Sequence, residues 1–388
     1  MVMRVKKKSI ENLIEAETAV EKVGVYNGVR KDMAEKTIFH VLEIEDVSSP
    51  AANVIKQVAI SRGSDAVVHQ DVIANNVEKS TVLLPGTVRE LKLISEELKK
   101  QPFGLPEVGD RILQVLSLEK TSHEFSIMGV LNVTPDSFYD GGDYFKESDA
   151  RKRFEEIIGE GADIVDIGAE SSRPGSKRLT VQEELNRLEK VLPLFEKCSV
   201  PVSIDTYKSE VAETALSRGA KILNDISALR MDNKMVEVVR NYDAKIVLMH
   251  MKGTPENMQE KPYYDNVMKE IGEFFEERVE FCLSNGISED KIILDPGIGF
   301  GKRQIDNLTI LSNLREFTSY GFPVLIGTSR KSFIGRITGE EAKERLDGSI
   351  VTAVYSYLKG VSIFRVHDIR QTKNALSVIS AILEGKND

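Results

Sequence analysis

From about residue 121 onward, short apolar runs alternate with longer segments whose apolar residues recur every three or four positions. The runs at 126–131, 163–167, 200–204, 221–223, 245–249, 291–294, 323–326 and 362–366 have the character of strands buried on both faces. The periodic segments 149–160, 181–198, 208–218, 234–241, 264–284, 307–319, 341–359 and 369–383 predict helices. Eight such β/α repeats in roughly 267 residues match the size of a (β/α)8 TIM barrel. An open, doubly wound parallel sheet is the alternative.

Residues 1–120 read differently, as a small N-terminal α/β domain ahead of the 121–388 barrel. Helical spacing over 10–23, a strand at 37–44, a helix at 51–60, short strands at 66–69 and 80–84, and a helix at 87–100 are expected. Pro102, Gly104 and Pro106 predict a linker. His40 and His69 each stand alone in apolar surroundings and read as structural, and no chemistry is legible in this part.

A barrel gives every strand end an address, because side chains there converge on one mouth. The ends read Asn132, Asp166 followed by Gly168, Asp205, Asn224 with Asp225, His250 after Met249, Asp295, Gly327 with Thr328, and Arg365 with His367. Polar groups sunk in a concave mouth cost free energy unless something pairs with them, so stability alone explains such a set poorly. The chain has 52 basic and 61 acidic residues, a net charge of −9, and no basic cluster interleaved with aromatics, which argues against a nucleic-acid partner. No apolar stretch has the length of a membrane span or a signal peptide. Cys198 and Cys282 lack metal or redox spacing and read as buried free thiols, which places the chain in the cytoplasm.

Two subsets differ in chemistry. Asp205, Asn224, Asp295 and Lys331 combine acceptors and donors suited to the edge of a flat heteroaromatic ring, and buried acceptors left unpaired by the wrong ring cost about 1–3 kcal/mol each. Asn132, Arg173, Arg365 and His367 read as an anion clamp, since the arginine fork suits phosphate oxygens. Asp166 is a candidate proton relay or loop anchor. The glycine-rich 295–302 segment fails the phosphate-loop pattern, because Pro296 and Arg303 occupy the wrong positions, and its glycines are expected to let backbone pass close to the ring. The 329–332 segment opens a helix. Loops 132–147 and 168–180 are long for a barrel and are expected to order on an anionic ligand.

The segments MGVLNVTPDSFYDGG, DIGAESSRPGS, SIDTYKSEVA, ILNDISAL, LMHMKGTP, DPGIGFGK, IGTSRKSFIG and FRVHD, in that order, resemble the dihydropteroate synthase family over about residues 122–388. The resemblance implies a barrel enzyme that joins 6-hydroxymethyl-7,8-dihydropterin diphosphate to para-aminobenzoate and releases pyrophosphate. It implies Asp205, Asn224, Asp295 and Lys331 on the pterin, with Asp166, Met249 and Gly327 lining the substrate site, and Arg173, Arg365 and His367 on the diphosphate. Ser172, Arg173, Pro174 and Ser332 then fall at the aminobenzoate site, where Ser172 replaces the family's usual threonine. Asn132 corresponds to a magnesium-linked asparagine, so Mg2+ is the implied cofactor, and a homodimer is implied as well. Asp205, Asp295, Lys331, Arg365 and His367 are the catalytic candidates. A pterin-dependent corrinoid methyltransferase, or a catalytically lapsed pterin-binding scaffold, are the alternatives.

Overall fold

The computed structural model describes residues 4–8, 10, 12–117, 124–134, 147–171 and 178–384. The chain separates into two compact units, 1–122 and 123–388.

In the first unit, α1 (Leu13–Val23) and α2 (Arg30–Glu35) precede β1 (Phe39–Ser48), which pairs antiparallel with β2 (Lys79–Thr87). Between the strands lies α3 (Ser49–Ser61), and α4 (Val88–Leu98) and α5 (Leu105–Ser117) follow. Strand β2 alternates strictly, with Ser80, Val82 and Leu84 buried against Ile55, Leu91 and Ile94. Thr87 starts α4 through a capping box with Glu90. Two expectations fail here. The segment 66–69 is no strand, and only Val67 bridges to Leu83. The proposed linker is a short turn over 102–104 only: Pro106 occupies the first turn of α5, where a missing N–H costs nothing, and the helix buries Leu105 and Ile112.

The second unit is the predicted barrel. Its strands are β3 (Ser126–Asn132), β4 (Ile164–Gly168), β5 (Val202–Asp205), β6 (Ile222–Asp225), β7 (Lys245–Met249), β8 (Ile292–Asp295), β9 (Leu325–Ile326) and β10 (Ile363–Val366). All are parallel in the order β8-β7-β6-β5-β4-β3-β10-β9, and a Leu294–Val324 bridge joins the two ends. The helices are α6 (Glu147–Gly159), α7 (Val181–Leu188), α8 (Leu192–Phe195), α9 (Ser209–Ser217), α10 (Met235–Asn241), α11 (Val267–Ser284), α12 (Gln304–Ser312), α13 (Leu314–Thr318), α14 (Ser332–Thr338), α15 (Leu346–Leu358) and α16 (Ile369–Glu384). Two predicted helices are broken. The 181–198 segment divides ahead of α8, whose first turn holds Pro193, and the 307–319 segment divides at Asn313. The segment expected from 341 becomes helical only at Leu346.

Period-two alternation sorts each strand's side chains into those facing the helices and those facing inward. The outward set, including Ile127, Val165, Ile204, Leu223, Ile246 and Leu294, joins one large core with the helices. Met128, Ile164, Ile222, Val247, Ile293, Leu325 and Ile363 form a separate inner cluster that floors the barrel. Both cysteines are free thiols; Cys282 is buried, and burial pushes its thiol up to about 12, whereas Cys198 is only half-buried, contrary to expectation. Among the described residues no helix is long and apolar enough to cross a membrane.

Candidate active site

Stepping two residues beyond the inner floor along six of the strands reaches the predicted site. Asp166 follows Ile164, Asn224 follows Ile222, Met249 follows Val247, Asp295 follows Ile293, Gly327 follows Leu325 and Arg365 follows Ile363. Strand register keeps them level: Asn132 pairs with Gly168, Gly168 with Asp205, Asp205 with Asn224, and Met249 with Asp295. Thus the floor's apolar parity sets the orientation of the polar groups above it.

Arg365 is the hub. Its Nε donates to Asp166 Oδ2 at 2.7 Å and its Nη2 to Asp205 Oδ2 at 2.7 Å. Asn224 Nδ2 adds contacts of 3.3 and 3.4 Å to the same Asp166 carboxylate, which is fully buried. Asp166 is therefore an anchor for Arg365 and Asn224. The ring and anion subsets are not separate, because Arg365, placed with the anions, bonds directly to Asp205 of the ring group. One guanidinium serves two carboxylates, so one is under-compensated. Burial pushes the Asp205 carboxyl up to about 7, Arg365 pulls it down, and Asp166 adds to the rise. Arg365 itself is held above its ordinary range by those carboxylates, against the opposing effect of burial.

Asp295 is buried and accepts from the Gly297 N–H at 2.7 Å. Burial raises its carboxyl, with Lys331 the foremost opposing influence. Lys331 donates to the Ile298 carbonyl and lies 4.8 Å from the Phe300 ring centre; burial lowers its ammonium to about 8. Met249 belongs to an apolar wall with Ile226, Met251 and Met258, against which Tyr207 and Phe300 pack. Gly327 leaves open the space beside Lys331 and Arg365. His367 is exposed at the rim, its Nδ1 3.1 Å from Ser329 Oγ, and Ser332 is exposed at the start of α14.

Several strand-end residues do not join this cup. Asp225 points the other way and caps its own turn, accepting from Ser227 N and Leu229 N. Thr328 meets Thr352 of α15. The His250 ring stacks edge-on against Phe274 at 4.9 Å and contacts Lys302 Nζ at 2.9 Å. Ser172, Arg173, Pro174 and most of the two loops expected to order on a ligand lie outside the described residues.

Two glycines of the 295–302 loop serve close backbone packing within the chain. At Gly297 a Cβ would lie 2.0 Å from the His250 carbonyl oxygen, and at Gly301 2.3 Å from that of Lys252; both have positive φ. The loop therefore lies directly on the backbone that follows β7. Side chains then secure its carbonyls: Gln259 on Gly299, Lys302 on Phe300 and Tyr264 on Gly301. Lys302, which sequence reading passed over, is the clip. It is buried, donates to His250 Nδ1 and to the His250 and Phe300 carbonyls, and burial lowers it to about 7. Burial and the cation together hold the His250 imidazole neutral. Nothing in the pattern GFGK distinguishes such a buried lysine from a solvated one.

Asn132 ends β3 with inward parity, level in register with Asp205 and one layer above Asp166. Among the described residues no cluster of three His, Cys, Asp or Glu side chains could cage a metal. A single amide oxygen suits Mg2+, which keeps several waters and takes its remaining ligands from substrate phosphates. The donor set thus fits an ion carried in with an anionic substrate.

Comparison with known proteins agrees with this geometry. Residues 128–367 match the family model described as pterin binding enzyme. The dihydropteroate synthase of Escherichia coli K12 is 41% identical over 263 residues, covering 68% of this chain and 93% of that one. A dihydropteroate synthase from Clostridium difficile, solved in the presence of pteroic acid, is 42% identical, covers 68% of this chain and 98% of its own, and superposes with a TM-score of 0.63. The bifunctional dihydropteroate synthase/dihydropteroate reductase of Helicobacter pylori is 34% identical over 374 residues, covering 94% of this chain and 96% of that one. The chain belongs to the pterin-binding enzymes and, within them, to the dihydropteroate synthase family.

Proposed function

We propose that this protein condenses 6-hydroxymethyl-7,8-dihydropterin diphosphate with para-aminobenzoate, releasing pyrophosphate and forming 7,8-dihydropteroate. The observation that carries the reading is the single cup in which Arg365 bonds to Asp205 and Asp166, Asn224 bonds to the same Asp166, and Lys331 and Arg365 flank Gly327 together. Asp205, Asn224, Asp295 and Lys331 bind the pterin edge. Arg365, His367 and Arg173 take the diphosphate, and Ser172, Arg173, Pro174 and Ser332 take the aminobenzoate. Asn132 would hold Mg2+, which when bound would supply positive charge beside the leaving group.

The reaction breaks the carbon–oxygen bond at the pterin's exocyclic methylene, and the aromatic amine forms the new carbon–nitrogen bond. The Asp205 and Asp295 carboxylates favour the positive charge that the dihydropterin spreads from that carbon. Arg365, already oriented by Asp166, and His367 stabilise the departing oxygens, a preorganised role in which a lost donor costs about 2.7–4 kcal/mol elsewhere. The weakly basic amine needs no strong general base. Pyrophosphate release that requires both substrates and Mg2+ tests the assignment; release without aminobenzoate contradicts it. A corrinoid methyltransferase would need no diphosphate clamp, and a lapsed scaffold would show no turnover.

A second activity is proposed from the span of the Helicobacter match, which runs through the N-terminal unit as well as the barrel. The chain then also reduces dihydropteroate, a donor delivering hydride to the carbon of the ring's remaining reducible C=N bond and solvent delivering a proton to its nitrogen. Oxidation of a reduced nicotinamide by the full-length protein, dependent on dihydropteroate, tests it; no oxidation above background contradicts it. A homodimer is supported by the exposed Val351, Tyr355 and Leu358 along α15 and Val378 and Ile382 along the neighbouring α16. Sedimentation should show Val378→Asp shifting dimer to monomer. Cytoplasmic residence agrees with the free thiols.

A further inference from the structure

Arg330 lies in the turn leaving β9, between Ser329 and Lys331, and its φ is +56°, a left-handed conformation uncommon for a residue bearing a side chain. Its polar groups are held from several elements. Its N–H donates to Ser349 Oγ at 2.8 Å, and its carbonyl accepts from Arg345 Nη1 at 3.1 Å. The guanidinium grips Asp368 with both arms, Nε to Oδ2 at 2.8 Å and Nη2 to Oδ1 at 2.6 Å, while Nη1 donates to the Lys343 carbonyl at 3.0 Å. Asp368 in turn adjoins His367, whose N–H and Nδ1 both meet Ser329 Oγ, at 3.3 and 3.1 Å. One ion pair thus ties the neighbour of the ring-side lysine to the neighbour of the rim histidine.

We infer that Arg330 is a positioning residue for the pterin diphosphate site: its two-armed pair with Asp368 fixes the left-handed turn that aims Lys331 into the cup and seats Ser329 against His367. The inference rests on the assignment of Lys331 and His367 to the two ends of that substrate. A lysine at 330 keeps the charge but cannot form the fork, so charge alone does not substitute. The same pair also explains why the two strand ends, which share only a short ladder between β9 and β10, keep a fixed relation at the mouth.

The test compares Arg330→Lys, Arg330→Met and Asp368→Asn in wild-type and His367→Ala backgrounds. In the wild-type background kcat/KM for the pterin diphosphate should fall about 30-fold, with lysine failing to rescue, and with His367 absent the same changes should cost only about tenfold, because the route through His367 is gone and the route through Lys331 remains. Arg330→Lys within threefold of wild type, or equal losses in both backgrounds, would overturn the inference. If Arg330→Met does not fold, the lysine and asparagine variants carry the comparison. Calorimetric titration with inorganic pyrophosphate reads the same positioning without turnover, and Arg330→Lys should weaken it about tenfold, a loss readily resolved. An inactive wild type that still shows this loss would refute the reaction while leaving the turn's role intact; unchanged pyrophosphate binding would refute the turn's role.

Discussion

Replacing Arg365 by methionine removes the only guanidinium bonded to Asp166 and Asp205 among the described residues, while keeping much of the side chain's apolar volume. Asp166 is fully buried, the Asp205 side chain is 15% exposed and that of Arg365 is 23% exposed, so solvent can do little for the anions left behind. Breaking a buried pair by deleting one partner costs about 3–5 kcal/mol, or roughly 6–20 °C in the barrel's unfolding temperature at 2–4 °C per kcal/mol. The deficit should depend on pH. Burial already pushes the Asp205 carboxyl up to about 7, above its unfolded value, and loss of the opposing Arg365 raises it further. The folded protein then binds protons more tightly than the unfolded chain, so the penalty is smallest near pH 4–5 and grows as pH rises toward 8. Denaturant unfolding of both proteins at pH 5 and pH 8 measures it. Asp166→Asn added to Arg365→Met should recover part of the loss. In the assay, turnover should drop about 100- to 1,000-fold, far more than pterin affinity changes. A deficit below 1 kcal/mol, equal at both pH values, would refute the reasoning.

Other consequences follow from the same cup. A pterin donating hydrogen bonds to Asp205 favours its ionised form, so binding should release protons near pH 6.5 and weaken below pH 7; calorimetry in buffers of different ionisation enthalpy should differ, and identical heats would count against it. Gly297→Ala places a methyl 2.0 Å from the His250 carbonyl and should abolish pterin binding, whereas Gly339→Ala, equally left-handed but with open space around it, should cost only about 1–2 kcal/mol. Lys302 is lowered to about 7 by burial, so its folded form binds fewer protons than the unfolded chain and stability should rise from pH 7 toward 10. Lys302→Met should flatten that slope; an unchanged slope would remove Lys302 as its source.

Much of the barrel was legible because its strands are buried on both faces and its helices are amphipathic, two periods that a sequence displays directly. Most of the cup's strand ends were also legible, since Asp166, Asn224, Asp295 and Arg365 share parity with the floor residues two positions earlier, whereas Asp205 follows the buried polar Ser203. Parity also separates Asp225, His250 and Thr328 from the cup, a distinction available in the sequence only once strand register is known. What was not legible is tertiary. The pairing of Arg365 with Asp166 spans 199 positions, and that of Lys302 with His250 spans 52. The left-handed φ of Arg330 has no signal in its residue type, which is not among those that favour that region. Pro106 misled for a local reason: a proline punctuates a linker and a first helical turn equally well, and only the spacing of Leu105, Val108, Ile112 and Leu116 favours the helix.

The central claim is that side chains from strands across the barrel form one receptacle for a flat ring and its departing phosphates. Crystals soaked with a dihydropterin analogue and pyrophosphate test it most directly. The ring should lie within hydrogen-bond distance of Asp205, Asn224, Asp295 and Lys331, with pyrophosphate against Arg365 and His367. Ring density elsewhere in the barrel, or pyrophosphate away from Arg365, would contradict the account.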